Sequence, residues 1–163
     1  GSARVKRRLE GEAPVFCYVP EPDDVLGYMQ DAALAAFVAQ GYHPARDWLT
    51  ATCTQEYPDA VPHMVPLLHN RHFGNVLVFA APYYSFCHEW GGHGGVRTRE
   101  KHMTMMFAGP GIPRGATLEC AHAVDVVPTL MSLLNCDTTQ AEGLDGVVLF
   151  PKAADERAPT PTR

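Results

Sequence analysis

Two apolar runs constrain the fold of this chain more than any other feature. Val76–Ala80 is continuously apolar, and Met103–Ala108 is apolar apart from one threonine. Runs of this length suit strands that are buried on both faces, as in a sheet flanked by helices. We therefore expect the two segments to be neighbouring or near-neighbouring strands of one sheet.

Helical patterns alternate with these strand patterns. A short strand, Val15–Val19, is predicted ahead of residues 23–41, where apolar residues recur at helical spacing. Asp23 or Asp24 can cap that helix, and Gly41 can end it. Because strands and helices alternate along the chain, the sequence predicts an α/β layered fold.

Two further helices are predicted from the positions of caps and prolines. Asp59 can cap a helix whose first turn tolerates Pro62, whereas Pro66 would disturb a longer helix. A helix over Val124–Leu134 takes Asp125 as its N-cap. The spacing of its apolar residues predicts a buried stripe made of Val127, Leu130, Met131 and Leu134.

Length and charge bound the organisation of the chain. Its 163 residues suggest one domain or part of a larger one, and its net charge of −5 gives no reason to expect nucleic acid as a partner. The Gly1-Ser2 start, without an initiator methionine, is typical of a cloning remnant. We divide the chain into this remnant with a solvated basic tail at 1–12, a domain at 13–152 and a disordered tail at 153–163.

Apolar run lengths and cysteine spacing narrow the class of protein. No run approaches 18 apolar residues, so the sequence predicts no membrane-spanning segment. The number of cysteines is odd and none forms a CxxC pair, which favours buried free thiols. These cysteines are Cys17, Cys53, Cys87, Cys120 and Cys136.

A glycine-rich stretch encloses His93. Glycine permits positive φ angles and close approach of the backbone to another group. Four glycines around one imidazole indicate a loop that holds the ring in a fixed place, which suits metal binding or acid–base chemistry. The four are Gly91, Gly92, Gly94 and Gly95.

The order of the motifs from this loop onwards resembles the C-terminal part of the alkaline phosphatase superfamily. The nearest groups are the type I phosphodiesterase/nucleotide pyrophosphatase branch and the sulfatases. The similar features are a His-Gly loop at 93–95, a "GPGI" turn within 108–112, a "VDVVPTLMSLL" helix at 124–134 and a "GLDG" turn at 143–146. The resemblance covers about residues 57–150. It implies a partial three-layer α/β/α sandwich of the alkaline phosphatase-like type.

The resemblance also implies a chemistry. Such enzymes use two divalent metal ions, most often zinc, to hydrolyse phosphate or sulfate esters. Of the family's metal ligands only His93 has a match here, as the ligand that comes from the C-terminal loop. No Asp-His-Gly triplet and no recognisable Ser or Thr nucleophile occurs in these 163 residues. The chain therefore resembles a C-terminal hydrolase fragment that is inactive alone, with no catalytic residue of its own.

Other candidates for the site are aromatic and imidazole side chains near this loop. Tyr83 and Tyr84 follow the predicted strand, and His88 and His102 flank the glycines. We predict that they line the site, although a structural hydrogen bond is the favoured role for His102. The remaining early histidines show no ligand spacing and are predicted to be surface groups: His43, His63, His69 and His72.

Two alternative functions stay open at this point. The first is a non-catalytic binding or interaction module derived from the same fold, which would have the same pattern across these residues. The second is a small zinc protein, whose spacing fits no closed zinc site and whose ligands would be Cys87, His88, His93 and His102. The ester class, the compartment and the oligomeric state are not determined by the sequence.

Overall fold

A computed structural model describes residues 1–88, 94–136 and 143–151 of the chain. In these ranges it is a mixed α/β fold with a three-stranded antiparallel sheet and several helices. The chain divides into two compact units, Gly1–Met103 and Thr104–Arg163. The predicted disordered tail at 153–163 lies outside the described residues, as do 89–93 and 137–142.

The sheet lies in the first unit. Strand β1 is Ser2–Glu10, β2 is Ala13–Glu21 and β3 is His43–Pro44, in the order β1-β2-β3. The predicted strand at 15–19 is confirmed and forms the middle of β2. The N-terminal segment, expected as a solvated tail, instead pairs with β2 along its whole length, because Ala3 and Val5 pack against the core.

The first helix begins later than predicted. Helix α1 is Ala32–Ala39, and Asp31 Oδ1 caps it by accepting hydrogen bonds of 2.9 Å from Ala33 N and Leu34 N. Asp24 does not cap α1: its carboxylate accepts from the Tyr18 hydroxyl at 2.8 Å and from Met29 N, ahead of the helix, at 2.6 Å. The predicted end at Gly41 is confirmed, with a positive φ of 100° just beyond the helix.

Three more helices complete the first unit. Helix α2 is Ala45–Thr52, α3 is Ala60–His69 and α4 is Thr98–Lys101. A short 3-10 helix at Tyr28–Gln30 precedes α1. The predicted helix after Asp59 is confirmed, but the Asp59 side chain makes no cap hydrogen bond, and α3 continues through Pro66 instead of ending there.

The core of the first unit is built around Trp48, which is fully buried on α2. Its indole Nε1 donates a 3.0 Å hydrogen bond to the Phe16 carbonyl of β2, which ties this helix to the sheet. The Phe37 ring meets the indole edge-on, with centroids 5.0 Å apart. The buried cluster consists of Phe16, Tyr18, Tyr28, Leu34, Val38, Trp48 and Val61.

The two apolar runs are not strands, so this prediction was wrong. Val76 and Val78 are 77% and 65% exposed, and Met103 and Met106 are 70% and 87% exposed. Neither run forms a strand. A strand requires a neighbour for its backbone N–H and C=O groups, and the three-stranded sheet does not extend to these segments.

The second unit contains a 3-10 turn at Ala123–Asp125 and helix α5 at Val126–Leu133. The helix is where the sequence predicts it, with Asp125 at its start and Pro128 in its first turn. The predicted apolar stripe is wrong: Val127 is 52% and Leu134 71% exposed. The helix instead buries Pro128 and the polar Thr129, because Thr129 bonds the backbone of the segment near residue 149.

The structure tests two further predictions, the absence of a membrane-spanning segment and the burial of the cysteines. No helix among them has the length and apolar character needed to cross a membrane. All five cysteines are free thiols. The expectation that they are buried holds for Cys17 but not for Cys87 and Cys136, which are exposed because they lie in irregular segments outside the core.

Candidate functional site

His93, the predicted metal ligand, lies outside the described residues together with Gly91 and Gly92. The two following glycines are described. Gly94 has a φ of 95°, a conformation that glycine adopts readily and that strains other residues. A side chain at Gly95 would collide with the Glu100 carboxylate. Gly94 therefore has a structural need for glycine, whereas at Gly95 the flexible Glu100 side chain can move aside.

The segment that follows these glycines is attached to the connection between α2 and α3. The Arg97 guanidinium pairs with Glu56 at 2.6 Å and lies 5.0 Å from the centre of the Tyr57 ring. Thr98 donates its N–H to the Glu56 carbonyl at 2.9 Å, and its hydroxyl bonds Gln55 O. These contacts fix the start of α4.

The four candidates for lining the site lie in separate surroundings. His102 Nε2 is 3.0 Å from the Cys53 carbonyl, in line with a structural hydrogen bond. Tyr83, 93% exposed, has a long 3.4 Å contact from Arg99 Nη1 to its hydroxyl, and the Arg99 guanidinium lies 6.0 Å from the centre of its ring. Tyr84 and His88 are exposed. Among these four described residues no mutual hydrogen bond or ring contact is formed.

A cluster of titratable side chains was missed in the sequence analysis. It consists of Asp59, His63 and Lys101, all in the first unit. Asp59 has a left-handed backbone, with φ 51° and ψ 32°, and is only 3% exposed. Its N–H donates to Thr52 Oγ1 at 2.7 Å, and that hydroxyl donates to the Trp48 carbonyl at 2.6 Å. The core helix α2 therefore positions Asp59.

His63 is paired with this aspartate. Its Nδ1 lies 2.7 Å from Asp59 Oδ2, and 55% of its side chain is exposed. The hydrogen bond that His63 donates to the Asp59 carboxylate raises the pKa of His63 above 6.5, against the opposing effect of partial burial. The imidazole is thereby held as the protonated partner of a buried carboxylate over a wider pH range than an ordinary histidine.

Lys101 completes the cluster from α4. Its ammonium donates a 2.9 Å hydrogen bond to the Pro58 carbonyl and lies 3.3 Å from His63 Nδ1. Burial lowers the pKa of Lys101 from 10.5, and the Asp59 carboxylate opposes that change. A second cation therefore lies beside the imidazole.

Of the histidines predicted to be surface groups, His63 is exposed as predicted but has a specific partner, whereas His43 is buried. His63 is four residues from Asp59, and this spacing at a helix start, which brings side chains together, was the available signal. His43 is 8% exposed and stacks on Phe37 with centroids 3.7 Å apart. No sequence signal identified that contact, because it depends on how β3 meets α1. His69 and His72 are exposed as predicted.

The second unit contains a separate buried polar network. The Asp125 carboxylate accepts hydrogen bonds from His122 N at 2.8 Å and from Val147 N at 2.9 Å. The Thr129 hydroxyl accepts one from Leu149 N at 3.0 Å. The network joins the start of α5 to the segment after the "GLDG" turn, and both carry motifs of the resemblance.

An open pocket of about 530 Å³ lies in the first unit between residues 24–31 and 55–57. Three carboxylates line it, but each has a structural role. Asp24 bonds Tyr18, Asp31 caps α1 and Glu56 pairs with Arg97. The pocket therefore presents no set of uncommitted acidic groups for a ligand.

No family model matches the chain, and neither a curated protein nor a solved structure matches it.

Proposed function

We propose that this chain is the C-terminal part of a metal-dependent hydrolase of phosphoric or sulfuric esters, similar to the alkaline phosphatase superfamily. The observation that carries the proposal is the order of four motifs between residues 93 and 146. In this proposal the fold is part of a three-layer α/β/α sandwich. The partner is a phosphate or sulfate ester substrate, with no role for nucleic acid.

Hydrogen bonds within the second unit connect two of these motifs and support the view that they form one structural element. The helix motif contributes Asp125 and Thr129, and the segment after the "GLDG" turn contributes the N–H groups of Val147 and Leu149. A side chain at Gly146 would collide with the Val124 carbonyl, so the glycine of that turn allows the close approach. The motif residues thus have interdependent structural roles, as expected of a signature inherited together.

The chemistry would be supplied by two divalent metal ions, zinc in most such enzymes, which activate a nucleophile and stabilise the leaving oxygen. The contribution of this chain is the imidazole of His93, a nitrogen ligand that suits zinc. Because the other ligands and the nucleophile have no recognisable match here, we expect the isolated chain to be inactive on phosphate and sulfate esters.

The test is His93→Ala in the hydrolase that also carries an Asp-His-Gly triplet and a Ser or Thr nucleophile. Loss of a metal ligand should reduce metal content and turnover at least ~10-fold. Reductions of this size are typical even when the mutated residue only hydrogen-bonds a metal ligand. His72→Ala, which changes an exposed histidine, is the matched control. Wild-type zinc content and wild-type rate in the His93 variant would contradict the proposal and favour the non-catalytic module.

A further inference from the structure

Strand β1 has one edge that no other strand covers. The sheet order β1-β2-β3 gives β1 a neighbour on one side only, and among the described helices and strands it contacts just β2 and α3. We propose that this edge binds an extended acidic segment of another protein, which joins the sheet as a further antiparallel strand beside β1. This binding site goes beyond the hydrolase proposal and does not depend on it.

The sequence of β2 determines which backbone groups of β1 face outwards. Pro14 and Pro20 have no N–H, and the Phe16 carbonyl accepts a bond from Trp48 Nε1, so the even-numbered residues of β2 direct their backbone groups away from β1. The odd-numbered residues of β2 therefore bond the even-numbered residues of β1 that the register places opposite them. The residues of β1 whose N–H and C=O groups face outwards are Ala3, Val5, Arg7 and Leu9.

These outward N–H and C=O groups have no backbone partner in the described part of the chain. A row of such groups on an edge strand is a template for pairing with another chain. In this mode of recognition the main-chain hydrogen bonds provide affinity and alternate side chains provide specificity. Because Ala3 and Val5 pack against the core, the edge is held in an extended conformation before a partner binds.

The charge of β1 indicates which kind of segment it binds. The strand has four cationic side chains and one carboxylate, whereas the whole chain has a net charge of −5. Side chains alternate between the two faces of a strand, and Val5 faces the core, so Arg4, Lys6 and Arg8 share the opposite face. Every second residue of an antiparallel partner strand lies directly opposite one of these cations. Carboxylates at alternate positions therefore match this face.

The ion pairs already present leave the centre of this row open to a partner. Arg4 lies 3.0 Å from Glu21 and Arg8 pairs with Glu10, but the arginine side chains are 61% and 54% exposed. Exposed ion pairs are weak, so carboxylates of an added strand can compete for both arginines. Lys6, between them, has no carboxylate partner among the described residues.

Two other occupants fit this edge less well. A second copy of β1 would bring two rows of cations together, and like charges directly opposite one another destabilise a strand pair. A nucleic acid would neutralise the cations through its phosphates but would not form the hydrogen-bond ladder of a strand. An extended peptide with alternate carboxylates satisfies both the charges and the backbone groups.

The first test measures binding of the whole chain to a capped peptide of alternating threonine and glutamate, equal in length to β1. Binding should slow hydrogen exchange of the Val5 and Arg7 amides, observed by NMR, and leave the Lys6 amide unchanged because it already bonds β2. A control peptide with proline in place of each threonine keeps the charges but loses the donors opposite Val5 and Arg7. It should bind at least ~10-fold more weakly. Equal affinities, or unchanged exchange at Val5 and Arg7, would overturn the proposal.

The second test compares two neighbouring cations on opposite faces of β1. Lys6→Glu replaces an attraction with a repulsion and should weaken binding of the threonine–glutamate peptide about 5-fold. Arg7→Glu is the matched control: the residue is exposed, the change in net charge is the same, and the weakening should be smaller. Equal weakening, or tighter binding of an oligothymidylate of equal charge than of the peptide, would contradict strand addition. Neither variant changes His93, so failure here leaves the hydrolase proposal standing.

Discussion

Asp125 Oδ1 accepts a 2.9 Å hydrogen bond from the backbone N–H of Val147, a residue 22 positions later in the chain. The other carboxylate oxygen accepts from His122 N at 2.8 Å. Only 1% of Asp125 is exposed, so both bonds form away from solvent. One side chain thus closes the turn before α5 and holds the segment that follows the "GLDG" turn.

Replacing Asp125 should destabilise the second unit. Asp125→Ala leaves the N–H groups of His122 and Val147 without their charged acceptor, and we expect a loss of about 2–4 kcal/mol in the free energy of unfolding. Urea denaturation followed by circular dichroism measures the change. Asp145→Ala, at an exposed aspartate, is the control and should be near neutral. Equal stability of the two variants would contradict the assigned role of Asp125.

Thr129→Val should destabilise the same unit through one lost hydrogen bond. Valine keeps the shape of the fully buried side chain but removes the acceptor for Leu149 N. We expect a cost of about 1–3 kcal/mol and faster hydrogen exchange of the Leu149 amide. Thr129→Ser, which keeps the hydroxyl, should retain most of the protection. Unchanged exchange at Leu149 in the valine variant would show that the bond does not form in solution.

Gly146→Ala should strongly destabilise the second unit. Its Cβ would overlap the Val124 carbonyl oxygen and lie 2.9 Å from Asp125 N, and both are backbone atoms that cannot rotate away. We expect a fall in melting temperature together with faster exchange of the Val147 amide. Gly74→Ala places its Cβ at an ordinary 3.6 Å from the nearest atom and serves as control. A melting temperature for Gly146→Ala equal to that of the control would refute this close approach.

Helix α1 has two candidate N-caps, Asp31 in the structure and Asp23 in the sequence prediction. Asp31→Ala removes the carboxylate that accepts from Ala33 N and Leu34 N, and it should cost about 1 kcal/mol. Asp23→Ala changes a carboxylate whose side chain is 69% exposed, and it should have little effect. Thermal unfolding of both variants decides between them. A larger loss for Asp23 would place the helix start where the sequence first suggests it.

The Asp59–His63 pair predicts a pH dependence of stability. The pKa of His63 is higher in the folded chain than its ordinary value of 6.5. The stabilisation is therefore complete below about pH 6.5 and is lost as pH rises through the folded pKa. Proton NMR of the ring should show the raised midpoint, and Asp59→Asn should lower it. An unchanged midpoint in the Asp59→Asn variant would contradict the pairing.

Local sequence signals determined several elements of the fold. The strand at 15–19, the end of α1 at Gly41 and the positions of α3 and α5 follow from apolar spacing and glycine, but the predicted side-chain caps of α3 and α5, Asp59 and Asp125, make no cap hydrogen bond to these helices. These features depend on groups within a few residues of one another. The resemblance rests on motif order in the same way, and the ligand role of His93 stays a prediction.

Tertiary structure decided what depends on distant partners. The runs at 76–80 and 103–108 have the composition of buried strands, but a strand forms only where another strand receives its hydrogen bonds. Helix α5 buries Thr129 because a hydroxyl can accept the N–H of Leu149, 20 residues away, which apolar spacing cannot reveal. The local spacing of Asp59 and His63 permitted their pairing. The buried Thr52 hydroxyl, which the fold brings to Asp59 N, holds the backbone of Asp59 in place.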